Sequence, residues 1–234
     1  MAPIKVIRIP VAYANSFLLK NGSQSVLIDT GIKNHAAYIL SKLKRHGLDP
    51  SDLALIIQTH THFDHTGNTA ELKKRTGAKV LVHEKEAAQL AKGYTRIPDG
   101  TIFYSKYISR LGQKIAPSIA AYSPVEPDIV VSEKFDLGEW GIDGYVLPTP
   151  GHTEGSVSVV IETRAIIAGD CFFPVFPNSI FPPFGNDVAL LLKTWKMIFD
   201  LGINEIYAGH GPKFSRERGI KDYQKKLAEQ GQQS

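Results

Sequence analysis

The chain has 234 residues, 43% of them hydrophobic and 21% charged, which suits one large globular domain or a duplicated one. A chain of this size buries roughly 70–75% of its unfolded surface, so its core needs no covalent staple, and a lone cysteine, Cys171, excludes an internal disulfide. No apolar run approaches the roughly 18 residues of a membrane span, and the opening MAPIKVIRIP carries no apolar leader segment, so a cytoplasmic protein with no membrane partner is expected.

The net charge is +4. Its basic residues are dispersed, with small groups at Lys42, Lys44 and Arg45 and at Lys73, Lys74 and Arg75. Such groups read as solvated helix faces, and charge alone does not point to a nucleic-acid partner.

Strand signals come first, at 5–9, 17–20 and 25–29, the last two separated by an Asn21-Gly22 turn. A helix follows from Asn34 as cap to about His46, with Gly47 as its stop. The run LALIIQ at 53–58 is apolar throughout, as in a strand buried on both faces. A second helix spans 68–76 and is closed by Gly77, and Lys79–His83 reads as a strand. Residues 93–128 show little periodicity and are expected to form an irregular, lid-like insertion in a single domain of residues 1–234.

Regular structure resumes at 129–131 and 144–147. A hairpin pair is expected at 156–161 and 165–168, and a second irregular stretch at 172–184 holds five Phe and four Pro. A helix at 188–201, a strand at 205–208 and a basic helix at 215–230 complete the chain. The halves rhyme: a strand ending in Asp29 leads through a helix to a strand ending before His60, and a strand before Asp170 leads through a helix to one before His210. Two packed sheets with helices on their outer faces accommodate this order.

The sharpest chemical signal is Thr59-His60-Thr61-His62-Phe63-Asp64-His65, directly after the buried run. His60 and His62, two apart in extended chain, point the same way. Asp64 and His65 follow one short turn later. One segment cannot close two coordination spheres. Further donors stand at other strand ends: His152 in Pro150-Gly151-His152-Thr153, Asp170 in Gly169-Asp170, and His210 between two glycines. Mixed imidazole and carboxylate donors suit zinc or iron.

HTHFDH, followed by GHT, GD and GHG and preceded by Asp29-Thr30-Gly31, resembles the metallo-β-lactamase superfamily over nearly the whole chain. The resemblance implies a four-layer αββα sandwich, an α/β fold, with two Zn2+ per chain at one edge; Fe or Mn suits the same donors. It implies that His60, His62 and His152 bind the first metal and that Asp64, His65 and His210 bind the second. Asp170 would bridge the two, and Asp29 would hold the site's geometry from outside. A metal-bridging hydroxide would then attack an electrophilic carbonyl or phosphoryl centre. The first metal would polarise the attacked oxygen, the second would take the leaving group, and Asp64 would orient the nucleophile.

The leading expectation is a hydrolase acting on an ester, thioester or lactone as small-molecule substrate. Glyoxalase II-like relatives carry a helical extension for glutathione, whereas this chain ends soon after His210. Acyl-homoserine lactonases usually place a tyrosine three residues after the bridging aspartate, where this chain has Phe173. A mononuclear iron persulfide dioxygenase, using His60, His152 and Asp170, and a phosphodiesterase or ribonuclease of the same fold are the competing readings.

Tyr94, Phe103, Tyr104 and Tyr107 of one irregular stretch and Phe172, Phe173, Phe176, Phe181 and Phe184 of the other are expected to wall the substrate pocket or to form a homodimer interface. His35 and His46 read as surface residues, His83 as a helix start and Cys171 as a small core residue.

Overall fold

The computed structural model of the chain describes residues 4–21 and 24–231. It contains two six-stranded sheets packed face to face. The first runs in chain order: β1 (Lys5–Val11), β2 (Ala14–Asn21), β3 (Gln24–Ile28), β4 (Leu53–Ile57), β5 (Lys79–His83) and β6 (Ile129–Val131). The second, in reverse order, holds β7 (Phe135–Asp136), β8 (Gly144–Pro148), β9 (Val157–Ile161), β10 (Ala165–Ile167), β11 (Glu205–Tyr207) and β12 (Phe214–Ser215).

Apolar runs without polar alternation arise because both faces of these strands are covered. In β3, Val26 and Ile28 face the second sheet, while Leu27 faces outward. There Leu27 joins an outer cluster with Ile39 and Leu43 of α1 (Ala36–Arg45), Leu72 of α3 (Thr69–Thr76) and Leu90 of α4 (Glu84–Lys92). In β10, Ala165 and Ile167 complete the central layer. Ile166 packs outward with Trp195 and Ile198 of α6 (Val188–Asp200), which α7 (Arg216–Gly231) flanks. The result is the αββα sandwich that the motif order implies.

The rhyme between the halves is topological. β2 and β3 form an antiparallel pair, and α1 carries the chain to β4, parallel to β3. β9 and β10 form an antiparallel pair, and α6 carries the chain to β11, parallel to β10. This register brings the carboxyl ends of β3, β4, β8, β10 and β11 to one edge, and the crevice there is where open sheets bind ligands.

Several boundaries differ from the sequence expectation. Asn34 does not cap α1: it takes φ 70°, and Asn68, distant in sequence, accepts the His35 N–H through its side chain. The helix expected at 68–76 is preceded by a separate single turn, α2 (Phe63–Thr66), for which His62 is the N-cap. Residues 93–128 are not irregular throughout, since they contain the 17-residue helix α5 (Phe103–Ile119). Among its described side chains only Ser105 and Ser109 are buried, while Phe103, Tyr107 and Leu111, which recur at helical spacing, are exposed. The 172–184 stretch forms no long element, as its prolines dictate. The Asn21-Gly22 turn lies partly outside the described residues.

Candidate metal centre

β4 delivers Thr59 to the sandwich edge, where Asp29, at the end of β3, fixes it twice. Asp29 Oδ1 accepts the Thr59 N–H (2.8 Å) and Oδ2 accepts its hydroxyl (2.8 Å). His60 and His62 then project together, with ring centroids 4.6 Å apart. The single turn of α2 places Asp64 and His65 beside them, and its closure is set by His62 C=O accepting from His65 N–H (2.9 Å).

The other donors arrive from the second sheet. His152 sits in a turn after β8 where Gly151 takes φ 132°, and a side chain at Gly151 would meet the α6 backbone at Leu191 (2.5 Å). Its Nδ1 lies 3.0 Å from Phe184 C=O, and its Nε2 lies 3.0 Å from a ring nitrogen of His62. Asp170 follows β10. His210 follows β11, and its Nδ1 hydrogen-bonds to Tyr13 C=O (2.9 Å). His65 Nδ1 meets Asp29 Oδ2 at 2.8 Å, leaving His65 Nε2 to face Asp170 (3.3 Å) and His210 Nε2 (3.3 Å). All five imidazoles are buried.

Ligand atoms gather into three groups, each within 4.8 Å: His60, His62 and His152; His60, His65 and Asp170; Asp64, His65 and His210. His60 Nε2, His62 Nε2 and Asp170 Oδ1 are buried without a hydrogen-bond partner. Leaving buried polar atoms unpaired is costly, and a cation at their convergence removes that cost. The donor set therefore fits divalent metal.

The electrostatics divide along the same line. Burial, and then repulsion from His65, His62 and His152, holds His60 well below the usual imidazole range; burial likewise depresses His62. Burial also opposes protonation of His65, but the charges of Asp170 and Asp29 outweigh it and lift that ring well above the usual range. For Asp170, burial is overcome by His210 and His65, and its carboxyl is held well below the usual carboxylate range.

The centre opens into a cavity of about 420 Å3. Phe173 and Phe184 line it, as the sequence suggests, and Phe173 lies against the His210 ring (4.9 Å). Tyr104, Tyr107 and Phe176 do not line it: Tyr104 and Tyr107 are exposed on α5, and Ile108 and Gly112 are its residues that face the cavity. Phe172 is core, packed on Trp195 (4.9 Å), because its side chain points away from the central layer. His35 and His46 flank α1, His83 caps α4 through its ring, and the buried Cys171 thiol donates to Thr149 C=O.

Two contributors carried no sequence motif. Tyr13, in the β1–β2 turn, lines the cavity; burial and the charge of Asp64 push its phenol up to about 12. Glu86 on α4 is 3% exposed and accepts from both the N–H (3.0 Å) and the hydroxyl of Thr61, the residue between His60 and His62. Only a fold that packs α4 behind the HTH segment reveals that role.

A double-sheet sandwich with clustered imidazoles and carboxylates at its strand ends defines a class of metal-dependent hydrolases. The chain belongs to the metallo-beta-lactamase superfamily, whose family profile matches residues 9–210. It is 28% identical to a probable metallo-hydrolase of Methanocaldococcus jannaschii, covering 85% of this chain and 87% of that one. It is 27% identical to an N-acyl homoserine lactonase of a Bacillus species, covering 94% and 88%. Among solved structures, a metallo-beta-lactamase family protein of Thermus thermophilus superimposes with a TM-score of 0.71 at 22% identity, covering 97% of this chain and 80% of that one.

Proposed function

We propose that the protein is a dinuclear zinc hydrolase that cleaves an ester, thioester or lactone with an uncharged apolar portion. The observation that carries this is that three donor groups interlock through shared residues, His60 and His65, with Asp170 in the group that links the other two and unpaired buried atoms among them. In this reading His60, His62 and His152 hold one cation, Asp64, His65 and His210 the other, and Asp170 bridges.

Two divalent cations, when bound, supply Lewis acidity and a water ionised near neutral pH. The chain's own residues do the rest. Asp29 orients His65, and Phe184 C=O and Tyr13 C=O orient His152 and His210. Asp64, with Oδ2 3.5 Å from His210 Nε2, orients the nucleophile. The His60–His62–His152 group stands on the side of the attacked carbonyl, and the Asp64–His65–His210 group on the side of the leaving group.

The cavity lining supports the substrate class. Among the described residues it holds no Lys or Arg, and outside the donor cluster it is formed by Tyr13, Phe63 and aliphatic and aromatic residues of α5, the preceding loop and the 172–184 stretch. Such a wall favours an acyl chain over an anionic headgroup. The lactonase relative supports the same class.

Elemental analysis of protein purified without added metal tests the reading. About two zinc per chain, with turnover of an ester, thioester or lactone series, is the expected result. About one iron per chain with no ester turnover, and oxygen uptake with a persulfide, would overturn it in favour of the dioxygenase.

A further inference from the structure

Strands β1 and β2 are joined by a two-residue turn, Ala12-Tyr13, across the pair Val11 and Ala14. Ala12 takes φ 56°, a left-handed conformation that costs a residue with a Cβ on the order of 1 kcal/mol. Strain of this kind persists only where the surroundings fix it. Here the turn is tied to the loop that carries His210. Tyr13 C=O accepts from His210 Nδ1 (2.9 Å). Asn15 N–H donates to Gly209 C=O (2.7 Å), and the Asn15 side-chain amide donates to Ala208 C=O (3.0 Å) and Gly211 C=O (2.9 Å).

These ties hold the half-exposed Tyr13 ring nearly parallel to the His210 ring, at 11° and 6.0 Å between centroids, beside the cavity that Tyr13 lines. Apart from Tyr13 and the histidines and aspartates of the donor cluster, every cavity-lining residue among the described ones is apolar or glycine. A polar atom of a bound substrate therefore meets one side-chain O–H there, that of Tyr13. Among the described residues that hydroxyl has no hydrogen-bond partner in the protein. Its neighbours, His210 and Asp64, belong to the donor group on the leaving-group side.

We infer that Tyr13 is a catalytic residue that donates a hydrogen bond to the leaving-group oxygen of the substrate as the carbonyl–oxygen bond breaks. The inference rests on the hydrolase reading above. It implies a dependence on the leaving group. An alkoxide is strongly basic and gains most from a donor aimed at it, whereas a nitrophenolate carries its charge unaided.

The test compares wild type with Tyr13→Phe, both loaded with zinc and checked for equal metal content, on ethyl hexanoate and p-nitrophenyl hexanoate. The expected result is a loss of about 100-fold in kcat/KM on the ethyl ester, carried by kcat, and less than about 3-fold on the nitrophenyl ester. Calorimetric binding of ethyl hexylphosphonate, which presents the same alkoxy oxygen, should weaken about 10-fold in the variant. Equal losses on both esters, or unchanged phosphonate affinity, would overturn the role. If wild type hydrolyses neither ester nor any thioester or lactone of the series, the hydrolase reading fails; the phosphonate comparison then still decides whether Tyr13 meets an alkoxy oxygen.

Discussion

Asp29 and His65, 36 residues apart, are joined by a 2.8 Å contact between a carboxylate oxygen and Nδ1, and both side chains are buried. The same carboxylate anchors Thr59 at the start of the HTH segment, so one residue fixes ligands on both sides of the centre. Asp29 itself takes φ 57°, which asparagine tolerates. Asp29→Asn should therefore fold normally yet lose about 10–100-fold in metal affinity at the Asp64–His65–His210 group. Chelator competition followed by elemental analysis checks this.

His62→Ala and Asp170→Ala should each abolish most hydrolytic activity, by on the order of 100-fold or more in kcat/KM, exceeding the loss typical of an outer partner. Circular dichroism should match wild type. Wild-type-like turnover in either variant would sink the two-cation mechanism.

Gly209 lies where a side chain would strike Asp170 Oδ1 and approach His65 Cε1 (2.7 Å). No flexible tip is available to yield, because both neighbours are themselves donors of the centre. Gly209→Ala should lower metal content and activity together while leaving the unfolding transition cooperative. A full zinc complement in the variant would show that the two donors can move apart without consequence.

Removing the Glu86 carboxylate leaves the buried Thr61 N–H without its acceptor and the Thr61 hydroxyl with Thr95 alone. Glu86→Ala should destabilise the protein by about 1–3 kcal/mol in urea unfolding, with lower metal occupancy. Glu86→Gln, which keeps an acceptor oxygen, should recover part of both. If the alanine variant matches wild type, the carboxylate does not brace the HTH segment.

The Cys171 thiol is fully buried and pushed up to about 12, first by burial, so at pH 8 it is thiol rather than thiolate. Iodoacetamide should leave it unlabelled in the native protein and alkylate it once guanidinium unfolds the chain. Mass spectrometry distinguishes the two, and rapid native labelling would contradict the packed environment.

The sequence alone points to the fold class and to the His and Asp side chains that the fold gathers at one edge, because both are written locally. Apolar runs such as LALIIQ declare strands buried on both faces, and each donor stands within a few residues of such a run's carboxyl end. Histidines in HTHFDH share a segment short enough for their spacing to mean geometry. Reading 93–128 as irregular misses helix α5, although Phe103, Tyr107 and Leu111 recur at helical spacing; that face is exposed, while the buried residues among its described side chains are Ser105 and Ser109.

Sequence pattern treats the aromatic stretches as groups, for a pocket wall or a homodimer interface, and only the fold sorts Phe173 into the cavity, Phe172 into the core and Tyr107 into solvent. The Asp29–His65 contact, the Glu86 brace and the stacking of Tyr13 on His210 join residues separated by 36, 25 and 197 positions. Local pattern determines which atoms can bind a cation. Which atoms orient, brace and face it is decided by tertiary structure: strand pairing within the first sheet sets Asp29 beside His65, the packing of α4 sets Glu86 behind Thr61, and the docking of the two sheets sets Tyr13 against His210.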